Sequence, residues 1–338
     1  MRAIGYKTPL PIEDDHSLVD IHLPDPVPSN RDLLVEVKAI SVNPVDTKVR
    51  ANVRPEEDAW KVLGWDAAGT VVKTGPHASL FKPGDEVFYA GSITRPGANA
   101  QLHLVDERIV GRKPRTLGWA EAAAMPLTAI TAWEALFDRL DVKGRPVPGA
   151  APAILIVGGA GGVGSIAVQL ARKLTNLTVI ATASRPETKA WVSDLGAHHV
   201  VDHSKPLARE IAALNIGDPT FVFSTTNTSQ HLAEIAELIA PQGRFALIDD
   251  PATLDINPFK RKSVSVHWEF MFTRTMFATA DIEEQGRLLN HVSRLVDAGT
   301  IRTTLADNFG AINAANIRRA HALIESGRAR GKIALEGF

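Results

Sequence analysis

One stretch, Ile154-Leu155-Ile156-Val157-Gly158-Gly159-Ala160-Gly161-Gly162-Val163-Gly164, restricts the fold more than any other. The apolar run 154–157 reads as a strand buried in a parallel sheet. Glycines 159, 161 and 164 follow the G-x-G-x-x-G spacing, and a helix without an early breaker follows over 163–174. Glycine tolerates positive φ and lets backbone come close to a phosphate. The helix then aims unpaired N–H groups and its positive dipole end at a pyrophosphate. A strand before and a helix after are the context that gives the spacing its meaning. Gly159, Gly161, Gly162, Val163 and Gly164 are therefore candidate nucleotide contacts. The alternative is a glycine-rich turn that only packs helix on strand.

Around this stretch the chain changes character. Residues 1–124 read as strands and turns, punctuated at Pro24, Pro26, Pro28, Gly75-Pro76, Pro83-Gly84 and Pro96-Gly97. Helical patterning begins near Trp119, and a Pro/Gly-rich linker follows at 144–152. Strand candidates at 154–157, 177–182, 199–202, 220–224 and 244–248 then alternate with helix candidates at 163–174, 186–195, 205–214 and 228–239. That alternation predicts an α/β domain over 125–274 with a parallel sheet and crossover helices, and 263–268 is a possible sixth strand. Two helices, 281–298 and 311–326, and a short strand, 332–335, close the sequence. This tail has no sheet of its own, so 275–338 is expected to complete the N-terminal β domain.

Composition excludes several classes. The 338 residues carry 37 Lys and Arg against 38 Asp and Glu, so no bulk charge draws the chain to nucleic acid or a membrane surface. No apolar run approaches the roughly 20 residues of a membrane helix, and the N-terminus lacks a signal-peptide core; a cytoplasmic location is expected. Cysteine is absent, which removes disulfides, thiolate nucleophiles and Cys-containing zinc sites. Histidines 198, 199 and 203 form the tightest histidine group. Neighbouring strand residues face opposite ways, so His198 and His199 do not converge on one ion, and no metal site is expected.

The second strand indicates which nucleotide. Sites for NAD place an acid about 20 residues past the glycines, on the ribose 2′-hydroxyl. Here the strand ends in Thr182-Ala183-Ser184-Arg185-Pro186-Glu187-Thr188-Lys189, with no acid at its tip. Ser184, Arg185 and Lys189 suit a 2′-phosphate instead, so NADP(H) is expected. Glu187 is the residue placed to compete for those basic groups.

Taken together, Ser41-Val42-Asn43-Pro44-Val45-Asp46, Gly64-Trp65-Asp66-Ala67-Ala68-Gly69, Met125-Pro126-Leu127-Thr128-Ala129, the glycine stretch and Gly331-Lys332-Ile333 resemble the medium-chain dehydrogenase/reductase superfamily, and within it the zinc-free quinone oxidoreductase branch. Zinc-dependent members place a cysteine where Asn43 stands, a His-Glu pair where Trp65-Asp66 stands, and a further metal-binding cysteine. They also carry a four-cysteine structural lobe. None of this is present. A "zinc-binding" label would be family inheritance without ligands to support it.

The resemblance implies a GroES-like β domain, an inserted six-stranded Rossmann domain, and a homodimer for which 263–268 is the candidate pairing edge, an ordinary sheet strand in a monomer being the alternative. It implies a reductase that passes hydride from NADPH to quinones or α,β-unsaturated carbonyls. Asn43 and Thr128 match the family positions beside the nicotinamide, Asn43 as a donor to a substrate carbonyl. Tyr89 is the candidate proton donor, with solvent as the alternative. Trp65, Phe270 and Phe272 are candidate substrate walls. His203 is expected near the adenine, Thr225, Thr226 and Ile248 along the nicotinamide arm, and Lys332 at the phosphates. For each, a structural role in core, turn or cap is the alternative. Three other functions stay open: reduction of one specific enone or enoyl thioester, a non-catalytic NADPH-binding sensor or structural protein, and, least favoured, a zinc alcohol dehydrogenase.

Overall fold

The computed structural model describes residues 1–144 and 147–338; Arg145 and Pro146, within the expected linker, lie outside the described residues. The chain forms two compact units, Met1–Ile130 with Phe272–Phe338, and Thr131–Met271. The pattern change in the sequence puts the junctions at 124/125 and 274/275, whereas these units divide at 130/131 and 271/272.

The inserted unit holds six strands: β1 Ala151–Val157, β2 Thr178–Thr182, β3 His199–Val201, β4 Pro219–Ser224, β5 Arg244–Leu247 and β6 Ser265–Trp268. All neighbours run parallel, in the order 3-2-1-4-5-6. Crossover helices span Gly162–Leu174, Pro186–Asp194, Leu207–Ala212 and Thr228–Leu238. This is the doubly wound dinucleotide-binding order, which reverses between β1 and β4. The expected six-stranded Rossmann sheet is present.

Its apolar strand runs follow from burial on both faces. Ile154, Leu155 and Ile156 of β1 are fully buried. Leu155, Ile180, Val222 and Phe245 share a core cluster with Ile211, Ile235 and Phe259 from the connections. The edge strand β6 is shorter than expected, because Ser263 takes a left-handed φ of 52° where the turn Asn257–Lys262 ends. Directly after β6, Glu269 is buried beside Glu134 of the π-helical turns Glu134–Arg139. Arg139 Nε donates to Glu269 Oε2 at 2.9 Å. Burial, reinforced by Glu134, pushes the Glu269 carboxyl up to about 9. The two carboxyls therefore hold a proton between them at neutral pH, and Arg139 balances the remaining charge.

In the other unit, Arg2–Tyr6 lies antiparallel between Val19–His22 and Lys61–Val62. A seven-stranded sheet runs Leu305–Asn308, Lys332–Glu336, Asp32–Val42, Ala67–Thr74, Glu86–Tyr89 and Gly111–Arg112, with Leu102–Asp106 also on Asp32–Val42. Lys332–Glu336 pairs antiparallel with the end of Asp32–Val42, Ile333 opposite Val42. That register brings Lys332 beside Asn43. The chain then turns into the helix Pro44–Asn52, with Asn43 extended at the N-cap and Pro44 opening the first turn. Asp46, in that turn, accepts from the Asn43 N–H at 2.6 Å. Among the described residues, no helix is long and apolar enough to cross a membrane.

Candidate functional site

The glycine loop joins β1 to the helix Gly162–Leu174. Gly158 has φ +78°, and a Cβ there would meet Thr225 Oγ1 at 2.5 Å. At Gly164 a Cβ would lie 2.2 Å from the Gly158 carbonyl oxygen and 2.7 Å from Gly159 Cα. Only glycine lets the helix come this close to the strand. Gly161 differs: it is the helix N-cap, and the nearest atom to a Cβ there is the Gly158 oxygen at 3.5 Å. The first-turn N–H groups of Gly162, Val163 and Gly164 have no intrahelical acceptor, and they stand at the positive end of the helix dipole.

Thr182, at the end of β2, ties this loop to its neighbours. Its Oγ1 accepts from Gly158 N at 2.9 Å and its carbonyl from Gly159 N at 3.1 Å. The same Oγ1 lies within hydrogen-bond distance of His203 Nδ1, 3.0 Å away. Burial pushes the His203 pKa below the ordinary value. Sequence reasoning missed Thr182, whose only signal was its place at a strand end. From β4, Thr225 Oγ1 donates to the Val157 carbonyl at 2.8 Å, and Thr226 beside it is exposed. Ile248 N donates to the Ser224 carbonyl at 3.3 Å. The carboxyl edge of the sheet thus gathers the glycines, His203, Thr225, Thr226 and Ile248 around the point where the strand order reverses, which is where such sheets bind ligands.

Ser184, Arg185 and Lys189 follow β2 and are partly exposed. Arg185 Nε pairs with Glu187 Oε1 at 2.9 Å, the competition anticipated from sequence. Lys189 Nζ pairs with Asp202 Oδ2 at 2.8 Å, an acid that sequence reasoning missed. Lys189 and Ser204 hold the Asp202 carboxyl well below the usual carboxylate range.

The Asn43, Asp46, Asp66 and Lys332 positions converge in the other unit, and all four side chains are buried. Asp46 accepts from Asn43 N and, through Oδ1, from Gly64 N at 3.2 Å. Asp66 Oδ1 accepts from Leu127 N at 2.8 Å, and Oδ2 from Asn43 Nδ2 at 2.9 Å. Lys332 Nζ lies 2.8 Å from the Val42 carbonyl, 2.5 Å from Asn43 Oδ1 and 3.1 Å from Asp66 Oδ2. Burial pushes both aspartate carboxyls up, Asp46 to about 7, and Lys332 opposes this in each.

Several expectations change here. Lys332, expected at the phosphates, is 3% exposed and spends its three N–H donors on buried acceptors of its own unit. Asn43, expected to donate to a carbonyl, already points Nδ2 at Asp66 and, more weakly, at the Ser41 carbonyl 3.5 Å away. Tyr89, the candidate proton donor, is fully buried; its hydroxyl lies 3.1 Å from His103 Nδ1, and the two rings stack 5.5 Å apart. Burial pushes His103 down to about 4, so the ring is neutral, with Nε2–H on the Pro96 carbonyl at 3.0 Å. The Tyr89 proton therefore goes to His103, and burial pushes its own pKa well above the ordinary value. Trp65 and Phe272 are core rather than pocket wall: they are 1% and 2% exposed and meet edge-on at 6.0 Å. The Trp65 indole donates to the Ser92 carbonyl at 3.1 Å. Phe270 is 46% exposed. Thr128 is buried, with Oγ1 donating to the Met125 carbonyl at 3.1 Å.

The family's catalytic zinc finds no suitable donor set at these positions. Asn43 offers a carboxamide, Trp65 an indole without a lone pair, and Asp66 a carboxylate already holding an ammonium ion. Among the described residues no three His, Cys, Asp or Glu side chains are grouped to hold a metal.

Comparison with known proteins agrees with this architecture. Residues 29–133 match the alcohol dehydrogenase GroES-like domain and residues 195–335 the zinc-binding dehydrogenase family. A zinc-type alcohol dehydrogenase-like protein of Staphylococcus aureus is 39% identical over 336 residues, 99% of each chain. The crystal structure of a candidate zinc-dependent alcohol dehydrogenase protein from Rhizobium etli is 71% identical, with a TM-score of 0.98 over 100% of this chain and 98% of that one. Escherichia coli quinone oxidoreductase, solved in complex with NADPH, shares the fold at 22% identity and a TM-score of 0.83, over 99% of this chain and 100% of that one.

Proposed function

Because this chain is an oxidoreductase of the medium-chain dehydrogenase/reductase superfamily, we propose that it is a zinc-independent, NADPH-dependent reductase of quinones or α,β-unsaturated carbonyls. The observation that carries this reading is the Lys332 ammonium bonded to Asp66 and Asn43, where zinc-dependent relatives have metal ligands. Without a Lewis acid to polarise a simple ketone, the favoured acceptors are those that spread charge as hydride arrives, and these need mainly positioning.

NADPH, when bound, supplies the hydride. The chain's part is to bind and orient. The N–H groups of Gly162, Val163 and Gly164 take the pyrophosphate. Ser184, Arg185 and Lys189 take the 2′-phosphate, exchanging partly exposed pairs with Glu187 and Asp202 for a doubly charged partner. His203, Thr225, Thr226 and Ile248 border the cofactor, with Asn43 and Thr128 beside the nicotinamide and Phe270 toward the substrate. Tyr89 is committed to His103, so solvent protonates the product. The reading includes a homodimer joined along β6, an edge strand whose Trp268 is 56% exposed; light scattering of the purified protein checks it.

The test is loss of nicotinamide absorbance with NADPH or NADH, an ortho-quinone and a simple enone, in protein treated with chelator. Faster oxidation of NADPH than NADH, undiminished by chelation, is expected. Preference for one acceptor then selects quinone or alkene reduction. Preference for NADH would overturn the 2′-phosphate assignment. Activity lost on chelation and restored by zinc would overturn metal independence. Clear NADPH binding with no turnover would favour a binding-only role.

A further inference from the structure

The cluster around Lys332 is costly to build, and an apolar core would not need it. Two carboxyls and one ammonium ion are buried together, with Asp66 fully enclosed and Asp46 1% exposed. A buried charge is tolerated when its partners are close and its hydrogen bonds are satisfied. Here every polar atom is engaged: three backbone N–H groups, those of Asn43, Gly64 and Leu127, bond the carboxylates, and Lys332 bonds three acceptors. The lysine comes from a strand that pairs beside Val42, so its position is set by sheet register.

We propose that Lys332 is a built-in cation that replaces the family's metal and acts as the positioning residue for Asn43. The ammonium binds Asn43 Oδ1, and the carboxamide is thereby fixed with Nδ2 turned to Asp66. A carboxamide whose two ends are otherwise alike in size is held in one of its two flips, because the reverse would set NH2 against the ammonium and the oxygen against a carboxylate. The ammonium satisfies Asp66 without leaving a coordination position for a substrate oxygen. The site therefore offers alignment and no Lewis acid, and it discriminates against acceptors that need carbonyl polarisation. This rests on the reading of Asn43 as a neighbour of the nicotinamide.

The test compares the wild type with Lys332→Met and with Lys332→Met/Asp66→Asn, in which the orphaned carboxylate is also neutralised. Zinc content after equilibration and dialysis, thermal midpoint, NADPH affinity and steady-state kinetics are read on each. The wild type is expected to retain less than about a tenth of an equivalent of zinc, a readout independent of turnover. Lys332→Met is expected to lower the thermal midpoint, and the double variant to recover most of that loss, because the penalty lies in the unpaired carboxylate. In the double variant kcat is expected to stay at least tenfold down, with NADPH affinity within about twofold of the wild type. Should Lys332→Met not fold, the double variant still carries the kinetic readout. One equivalent of zinc in the wild type overturns the proposal. Weakened NADPH affinity with kcat preserved also overturns it, since that would place Lys332 at the phosphates. If no acceptor turns over in any variant, the function reading fails, whereas zinc uptake and the stability cycle still decide whether Lys332 is the cation of the site.

Discussion

Arg185→Ala gives the sharpest test of coenzyme choice. In the structure Arg185 Nε is 2.9 Å from Glu187 Oε1, with side chains 37% and 55% exposed. An exposed pair of this kind contributes about 0–1 kcal/mol. Hydrogen bonds to a charged group such as a 2′-phosphate contribute about 1.5–3 kcal/mol. Exchanging one for the other leaves a net gain of about 1–2 kcal/mol, a factor of roughly 5–30. Arg185→Ala should therefore lower kcat/KM for NADPH by about that factor and leave NADH nearly unchanged. Glu187→Gln is the converse perturbation. It removes the competitor and should improve NADPH use by up to about fivefold, again without affecting NADH, with the gain shrinking as salt screens the pair. Initial rates with both coenzymes, at two ionic strengths, provide the measurement. An equal fall for NADPH and NADH in Arg185→Ala would refute the reasoning, because it would mean that Arg185 supports the loop rather than the phosphate.

Two further outcomes follow from the geometry. Gly164→Ala places a Cβ 2.2 Å from backbone at Gly158, and overpacking of this kind costs about 1–3 kcal/mol; it should lower the thermal midpoint without cofactor, whereas Gly161→Ala, with its nearest neighbour at 3.5 Å, should keep the midpoint and lose NADPH affinity, and equal midpoints for the two variants would contradict this. Burial and the neighbouring Glu134 raise the Glu269 carboxyl far above the ordinary carboxylate value, so its contribution to stability is complete below about pH 4.5 and is lost progressively as pH rises above that; Glu269→Gln should flatten the alkaline fall of the thermal midpoint, whereas parallel profiles would count against a shared proton.

The Rossmann sheet was legible because each of its strands is a local apolar run and each helix a local periodic one. The glycine loop was legible for the same reason, since strand, turn and helix lie within 24 residues, Ala151 to Leu174. What stayed hidden depends on partners carried by other strands, which no local pattern places beside one another. Leu305–Asn308 has no strand-like pattern and is a strand only because Lys332–Glu336 lies beside it. Tyr89 stood as a candidate proton donor with core packing as its alternative, and the acceptor that decides between them, His103, sits on a separate strand. Lys332 looked like a phosphate ligand, and only the pairing of Ile333 with Val42 shows that it turns inward to Asp66. Asp202 went unnoticed beside the histidines, yet it is the partner of Lys189.

The pairing of Lys332–Glu336 with Asp32–Val42 has a consequence for biosynthesis. A ribosome delivers Asp32–Val42 early and its partner only after the whole of Thr131–Met271. Until then the edge at Ala39–Val42 stands open, and Asp66 lacks the ammonium that makes its burial tolerable. The inserted unit can collect its contacts as it emerges, whereas the unit around it must wait for its closing strand. An open edge is a template for wrong partners, so nascent chains of this protein are most exposed to misassembly in that interval. A chain interrupted before residue 332 would carry a finished nucleotide fold attached to an uncompensated pair of buried acids.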